Sequence, residues 1–389
     1  MNGQTLLTGA TGFVGSAVAR VLAARGHDLR LLVRPGGDRS NIAGLTAELV
    51  EGDLTDPASL ARAADGCRTL VHVAADYRLW VPDPAAMMRA NVAGTRALLL
   101  AAQSRGVERM VYCSSVAALG LVGDGSVADE ATPVHPGKIV GIYKKSKYLA
   151  EQAVLDLVRD HAMPVIIVNP STPVGPRDIK PTPTGKMIRD AARGRMPAFV
   201  ETGLNIVHVD DVAEGHALAL EHGVIGERYI LGGEDFLLGD LFALVARVAG
   251  VRAPFVKLPI GALMPVAVVC EALARFGVEP MVTRETLAMA RKKMFFSSAK
   301  ARAELGYAPR PAVQAIEGAV AWFGRPGALP PGPSAKSASS QSIVKGKVEK
   351  GQLAAWQRTR WPLSTLPSKN GFQEHALGGV QGQSPWPCL

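Results

Sequence analysis

Close to its amino terminus the chain reads Thr8-Gly9-Ala10-Thr11-Gly12-Phe13-Val14-Gly15, and no other feature restricts its fold as strongly. The apolar run Thr5 to Thr8 precedes this stretch. The segment Phe13 to Arg25 follows it, with Val14, Ala17, Val18, Val21 and Leu22 on one helical stripe. A glycine triplet set between a strand and an amphipathic helix is the turn that carries a dinucleotide. Gly9 permits the tight turn, Gly12 lets the backbone approach a pyrophosphate, and Gly15 lets the helix pack on the strand. The helix start offers free N–H groups and partial positive charge to the phosphates. Gly9, Thr11, Gly12, Phe13, Val14 and Gly15 are therefore the expected phosphate contacts.

The alternation continues to Pro170. Strands are expected at Leu29 to Val33, Ala47 to Glu51, Leu70 to Ala74, Arg109 to Cys113 and Val165 to Val168. Long helices are expected at Ala85 to Arg105 and Tyr143 to Arg159. Strands separated by helices of this length form βαβ units with right-handed crossovers, hence a doubly wound parallel sheet with its crevice at the carboxyl ends of the strands. The expected fold is α/β: a Rossmann sheet over 1–170, and a smaller carboxy-terminal substrate lobe over 171–326 interleaved with the last sheet strands. Beyond Gly324 come Pro326, Pro330, Pro331 and Pro333, then aperiodic Ser-, Gln- and Lys-rich sequence. Such sequence buries too little apolar surface to offset its ordering entropy, so 327–389 is expected to be disordered.

That tail carries seven Lys/Arg against two Asp/Glu, over half of the net charge of +9. The body is close to balanced, which argues against a nucleic-acid partner. Cys67, Cys113, Cys270 and Cys388 form no CxxC pair and no zinc spacing, so free thiols in a reducing cytoplasm are expected and no metal. No signal peptide is legible. The apolar run Leu258 to Cys270 is too short to span a bilayer. It reads as a core or lid helix, with a membrane-surface contact as the other option.

The second strand ends in Arg34, where enzymes that prefer NAD usually carry an acid for the ribose hydroxyl. A cation there suits a 2′-phosphate, which favours NADP over NAD. Asp53 and Leu54 follow the third strand. Asp53 is placed either to reach the adenine or to cap a turn before Pro57.

Tyr143-Lys144-Lys145-Ser146-Lys147 puts a phenol and an ammonium on one helix face. A close ammonium favours the phenolate, making Tyr143 a general base toward an alcohol or a general acid toward a carbonyl. Lys147 can also bond the nicotinamide ribose. Ser114 and Ser115 follow the fifth strand, and Ser115 can hold the substrate oxygen for Tyr143. Glycine loop, serine and Tyr-x-x-x-Lys in this order resemble the extended short-chain dehydrogenase/reductases, which include nucleotide-sugar epimerases, dehydratases and dihydroflavonol 4-reductases. The resemblance runs from residue 4 to about 323. It implies that Val73, Ala74 and Ala75 line the cofactor, and that Pro170 and Ser171 lie near the nicotinamide amide.

The stretches Ala74 to Trp80, Pro170 to Gly185 and Ala290 to Ser298 are similar to bacterial hopanoid-associated sugar epimerases. Two departures lean toward the dihydroflavonol-reductase branch: Leu119-Gly120 replaces the Tyr-Gly usual after the serine, and Gly185-Lys186-Met187-Ile188 replaces an Asn-rich helix start. The leading expectation is an NAD(P)-dependent epimerase acting on a sugar-like or polyol substrate in hopanoid biosynthesis. The alternative is an NADPH ketone reductase, and the third reading is a cofactor-sensing regulator. Tyr77, Arg78, Trp80, Arg177 and Lys180 are the candidate substrate residues. The partner is a small molecule, and a homodimer is left open.

Overall fold

The computed structural model describes residues 3–78, 81–122, 125–274 and 282–325. The disorder expected for 327–389 lies outside them, as does Trp80.

The first half alternates β1 (Gln4–Thr8), α1 (Phe13–Ala24), β2 (Leu29–Val33), β3 (Glu48–Glu51), α2 (Pro57–Ala64) and β4 (Cys67–His72). It continues through α3 (Pro84–Met88), α4 (Thr95–Ser104), β5 (Arg109–Cys113), α5 (Ile142–His161) and β6 (Val165–Pro170). A seventh strand arrives later as β10. The second half contains β7 (Thr172–Val174), α6 (Pro183–Ala192), β8 (Ala198–Phe199), β9 (Gly203–His208), α7 (Val209–His222) and β10 (Arg228–Leu231). It closes with β11 (Glu234–Leu237), α8 (Leu238–Ala249), β12 (Val256–Lys257), α9 (Ile260–Ala274), α10 (Arg284–Ala290), α11 (Ala299–Leu305) and α12 (Ala312–Phe323).

The main sheet has the order β10-β6-β5-β4-β1-β2-β3, and every pairing in it is parallel. Its inner strands are apolar on both faces because helices cover both, whereas the edge strand β3 is mostly exposed. Period two sorts their side chains between two cores. Leu7, Val111, Ile166 and Val168 join α1 and α7 on one face. Leu6, Met110, Tyr112, Val165 and Ile167 join α2, α4 and α5 on the other. Each fully buried Leu, Ile or Val contributes about 1.5–3 kcal/mol, so the sheet is a rigid platform for the loops at its carboxyl edge. A third core, with Ile188, Ile206, Phe242 and Ile316, unites α6, α8 and α12 with β7 and β9.

The long helix expected over Ala85 to Arg105 is interrupted. Arg89–Gly94 forms a π-helical turn between α3 and α4. A side chain at Gly94 would come within 2.8 Å of the Leu54 Cβ, and the turn faces Asn91 inward (see below). β4 also stops at His72, two residues earlier than expected.

Candidate active site

The glycine loop has the geometry a dinucleotide needs. Gly9 has φ +76°, and a Cβ there would meet the Ala74 nitrogen at 2.6 Å. A Cβ on Gly15 would lie 2.0 Å from the Gly9 carbonyl oxygen, so the helix could not pack on the loop. Gly12 begins α1 with no side-chain cap, which leaves first-turn N–H groups, those of Phe13 and Val14 among them, for an anion. The backbone of Val73 and Ala74 is stapled to the loop: Val73 N–H donates to the Thr8 carbonyl at 3.3 Å, and Ala74 N–H to Thr8 Oγ1 at 3.2 Å. Ala75 continues this segment. The cradle therefore fits a dinucleotide pyrophosphate.

Arg34 is exposed at the end of β2, and its cation helps hold the Asp53 and Asp76 carboxyls below their usual range. Neighbouring charges are already engaged: Asp38 accepts from Ser40 N–H and Oγ, and Arg39 pairs with Glu51. Asp53 accepts from Thr55 N–H at 2.9 Å and from Thr55 Oγ1 at 2.6 Å, so its side chain closes a turn. The helix cap before Pro57 is Asp56 instead. Leu54 packs beside Gly94.

Ser115 and Tyr143 come together from the end of β5 and the first turn of α5, and the Ser115 hydroxyl hydrogen-bonds the phenol. Burial dominates that phenol, pushing its pKa up to about 12 against the Ser115 bond, so Tyr143 is neutral near pH 7. The Lys147 ammonium donates to the Cys113 carbonyl at 2.9 Å and lies 5.3 Å from the Tyr112 ring centre. Burial lowers its pKa.

A residue that the sequence reading missed underlies this arrangement. Glu151 is fully buried two turns beyond Tyr143. It accepts from Ser114 Oγ at 2.5 Å and from Asn169 Nδ2 at 2.7 Å, and Arg228 Nη1 lies 3.4 Å away. Asn169 Nδ2 also donates to the Ser115 carbonyl at 3.1 Å. The available signal was the i, i+4, i+8 spacing of Tyr143, Lys147 and Glu151 on one face. Asn91 performs a similar task on the other side. Its amide exchanges hydrogen bonds with the Asp76 backbone at 2.7 and 2.8 Å and donates to Ser146 Oγ at 3.0 Å, pinning the loop after β4 to the catalytic helix.

Pro170 ends β6, and Ser171 Oγ is buried with no hydrogen-bond partner among the described residues. An orphaned buried hydroxyl at the carboxyl edge of the sheet suits a ligand group there. Tyr77 stands on the loop after β4, where the Asp178 and Asp76 charges act on it. Arg78 is exposed and paired with Asp76 at 2.5 Å. Arg177 and Lys180 lie toward the cofactor loop. The Arg177 carbonyl accepts from Asn41 Nδ2, which also reaches the Thr11 and Gly12 carbonyls, and the Arg177 guanidinium pairs with Asp210. Lys180 acts on Asp38. Beyond Ser115 the chain enters a buried apolar cluster: Val116, Leu119, Ile230 and Phe296 pack together with Leu121, Val122 and Met294 against them.

A phosphate cradle, a serine–tyrosine pair and a neighbouring lysine on one sheet edge match a known family, described as NAD dependent epimerase/dehydratase, over residues 5–232. The chain belongs to that family. It is an NAD(P)-dependent enzyme of the extended short-chain dehydrogenase/reductase type. A putative dihydroflavonol 4-reductase from Synechocystis is 44% identical over 322 residues, covering 82% of this chain and 93% of the relative. Sterol demethylase protein B of Methylococcus capsulatus is 34% identical over 325 residues, covering 82% and 98%. The crystal structure of gox2253 is 70% identical and superposes with a TM-score of 0.76, covering 83% of this chain and 98% of that one.

Proposed function

We propose that this enzyme is an NADPH-linked ketone reductase of the dihydroflavonol-reductase kind, acting on a carbonyl compound with a large apolar body. The observation that carries the reading is the Tyr143 phenol hydrogen-bonded to Ser115, with the buried apolar cluster of Val116, Leu119, Ile230 and Phe296 following directly on Ser115. A protonated phenol is a general acid and suits carbonyl reduction. An apolar surrounding of this kind suits a hydrocarbon ring system better than a nucleotide-sugar diphosphate. The likeness to a dihydroflavonol reductase and to a protein named for a sterol supports the same choice.

In this reading 1–170 hold the cofactor and 171–326 shape the substrate side. Gly9, Thr11, Gly12, Phe13, Val14 and Gly15 hold the pyrophosphate, and Arg34 faces the 2′-phosphate. Asp53 and Leu54 flank the adenine. Val73, Ala74, Ala75, Ser114, Pro170 and Ser171 border the nicotinamide end. The bound nicotinamide supplies the hydride. Ser115 holds the ketone oxygen, Tyr143 donates its proton to that oxygen, and Lys147 positions the ribose from beneath. Glu151 fixes Ser114 and, through Asn169, the backbone that presents Ser115. The scattered thiols suit a reducing cytoplasm.

Net consumption of NADPH tests this. The protein, NADPH and either a dihydroflavonol or a 3-ketosteroid should yield one oxidised cofactor per alcohol formed. Interconversion of sugar-nucleotide epimers without net oxidation would overturn the reading in favour of the epimerase. The hopanoid-associated stretches, Ala74 to Trp80 among them, favour that second reading. Comparing hopanoid side chains between a deletion strain and its parent addresses its pathway.

A further inference from the structure

Among the described residues, eleven large apolar side chains stand exposed, and six of them fall between Phe255 and Leu273. Phe255 is 89% exposed and Val269 58%. Helix α9 is apolar around its circumference, yet only Ala267 is buried. Its inner side packs on α10, fastened by Arg284 Nε to Glu271 at 2.8 Å. Its outer stripe, Val266, Val269 and Leu273, follows i, i+3, i+7 into solvent.

A helix of this composition normally sits in a core or in lipid. At 15 residues α9 extends about 22 Å, short of the ~30 Å needed to cross hydrocarbon, so it can lie only in the plane of a membrane. The charges around it sum to a positive value, with Arg252, Lys257 and Arg284 against Glu201 and Glu271. From Val251 to Cys270 the only charged residues are Arg252 and Lys257, both exposed. Lys257 lies 3.3 Å from Glu201, and Glu271 is taken up by Arg284. An exposed aromatic, an apolar helix and a flank of net positive charge, with Arg252 outside any ion pair given among the described residues, complement an anionic lipid surface.

We propose that Phe255 and the outer face of α9 dock the enzyme on an anionic lipid membrane. The surface is one helix away from the chemistry: Glu285 of α10 accepts from the Ile142 N–H, directly before Tyr143. A docked enzyme would meet a lipid-dissolved ketone at its crevice. That link rests on the ketone-reductase reading. The docking itself is measured without substrate, so the two can fail separately.

The test is sedimentation of the full chain with vesicles of phosphatidylcholine, alone or with about one quarter phosphatidylglycerol. The wild type should bind the anionic vesicles more strongly than the neutral ones. Phe255→Ser combined with Val269→Asp should weaken binding about tenfold or more, with the melting temperature and NADPH affinity unchanged. Arg252→Glu, which leaves the apolar face intact, should weaken it several-fold. The proposal falls if the wild type ignores anionic vesicles, binds neutral ones equally, or is matched by the double variant. It also falls if light scattering shows a dimer that the double variant turns into monomer, because a second copy would then cover α9.

Discussion

Acidification from pH 7 to pH 5 should destabilise this protein through two buried histidines flanking the catalytic lysine. His72, at the end of β4, is fully buried, with Nδ1 2.7 Å from Thr8 Oγ1 and Nε2 2.9 Å from Thr95 Oγ1. Burial, aided by the Lys147 ammonium, lowers its pKa to about 3. His216 on α7 is lowered to about 4 by burial, with Lys147 again contributing. Below an unfolded-state value near 6.5 the unfolded chain therefore binds more protons than the native one, so stability falls with pH. At pH 5 the unfolded state has gained about 1.5 pH units of protonation free energy per histidine, roughly 2 kcal/mol each at about 1.4 kcal/mol per unit. The result is insensitive to whether the native value is 3 or 4. Asp178 works in the opposite direction: burial raises it to about 6, so its protonation returns roughly 1 kcal/mol over the same interval. A net loss of about 2–4 kcal/mol is expected, a large share of a typical 5–15 kcal/mol. Urea unfolding at the two pH values measures it. His72→Gln should recover about half of the histidine contribution. Equal unfolding free energies at pH 5 and 7, or a His72→Gln variant with the wild-type pH dependence, would refute the reasoning.

Tyr143→Phe should lower turnover by ~10²–10⁴ while nucleotide affinity, read by fluorescence titration, stays near the wild type. Gly15→Ala places a methyl group against the Gly9 carbonyl at 2.0 Å, so calorimetry should find NADPH binding weakened by two orders of magnitude or more, about 3 kcal/mol. Arg34→Asp should reverse a preference for NADPH over NADH. The charge-assisted contact is worth about 1.5–3 kcal/mol, roughly ten- to a hundredfold in affinity, and equal wild-type affinities for the two nucleotides would show that Arg34 does not read the phosphate.

Local chemistry made much of this molecule legible before its structure. The glycine loop, β2 and β5 stand where residue pattern alone puts them, because period two and period 3.6 are imposed by cores on both faces of the sheet. Features that depend on contacts distant in sequence were not legible. The π-helical turn at Arg89–Gly94 answers to Leu54 and Asp76. Glu151 looks like an ordinary surface residue of a helix until Asn169 and Arg228 arrive from β6 and β10. Asn41, 136 residues away in sequence, holds the Arg177 backbone near the phosphate cradle. The apolar run at Leu258 did announce a helix, yet its sequence could not say that most of it faces outward.

The attachment of the second half to the sheet has a consequence for how such an enzyme changes its diet. The chain leaves the platform at Ser171, returns for α7, joins the edge as β10 and departs again at Gly232. Strands β6 and β10 are parallel neighbours, and Ser171 N–H donates to the Leu231 carbonyl at 3.2 Å, so these two exits are stitched side by side. The joints lie at the carboxyl ends of two paired strands, at one rim of the sheet. The segments beyond them, with α6, α8 and α12 sharing one core, can therefore vary together as a unit. Natural variation, or a protein engineer, can reshape the mouth of the crevice while the chemistry beneath it keeps its alignment.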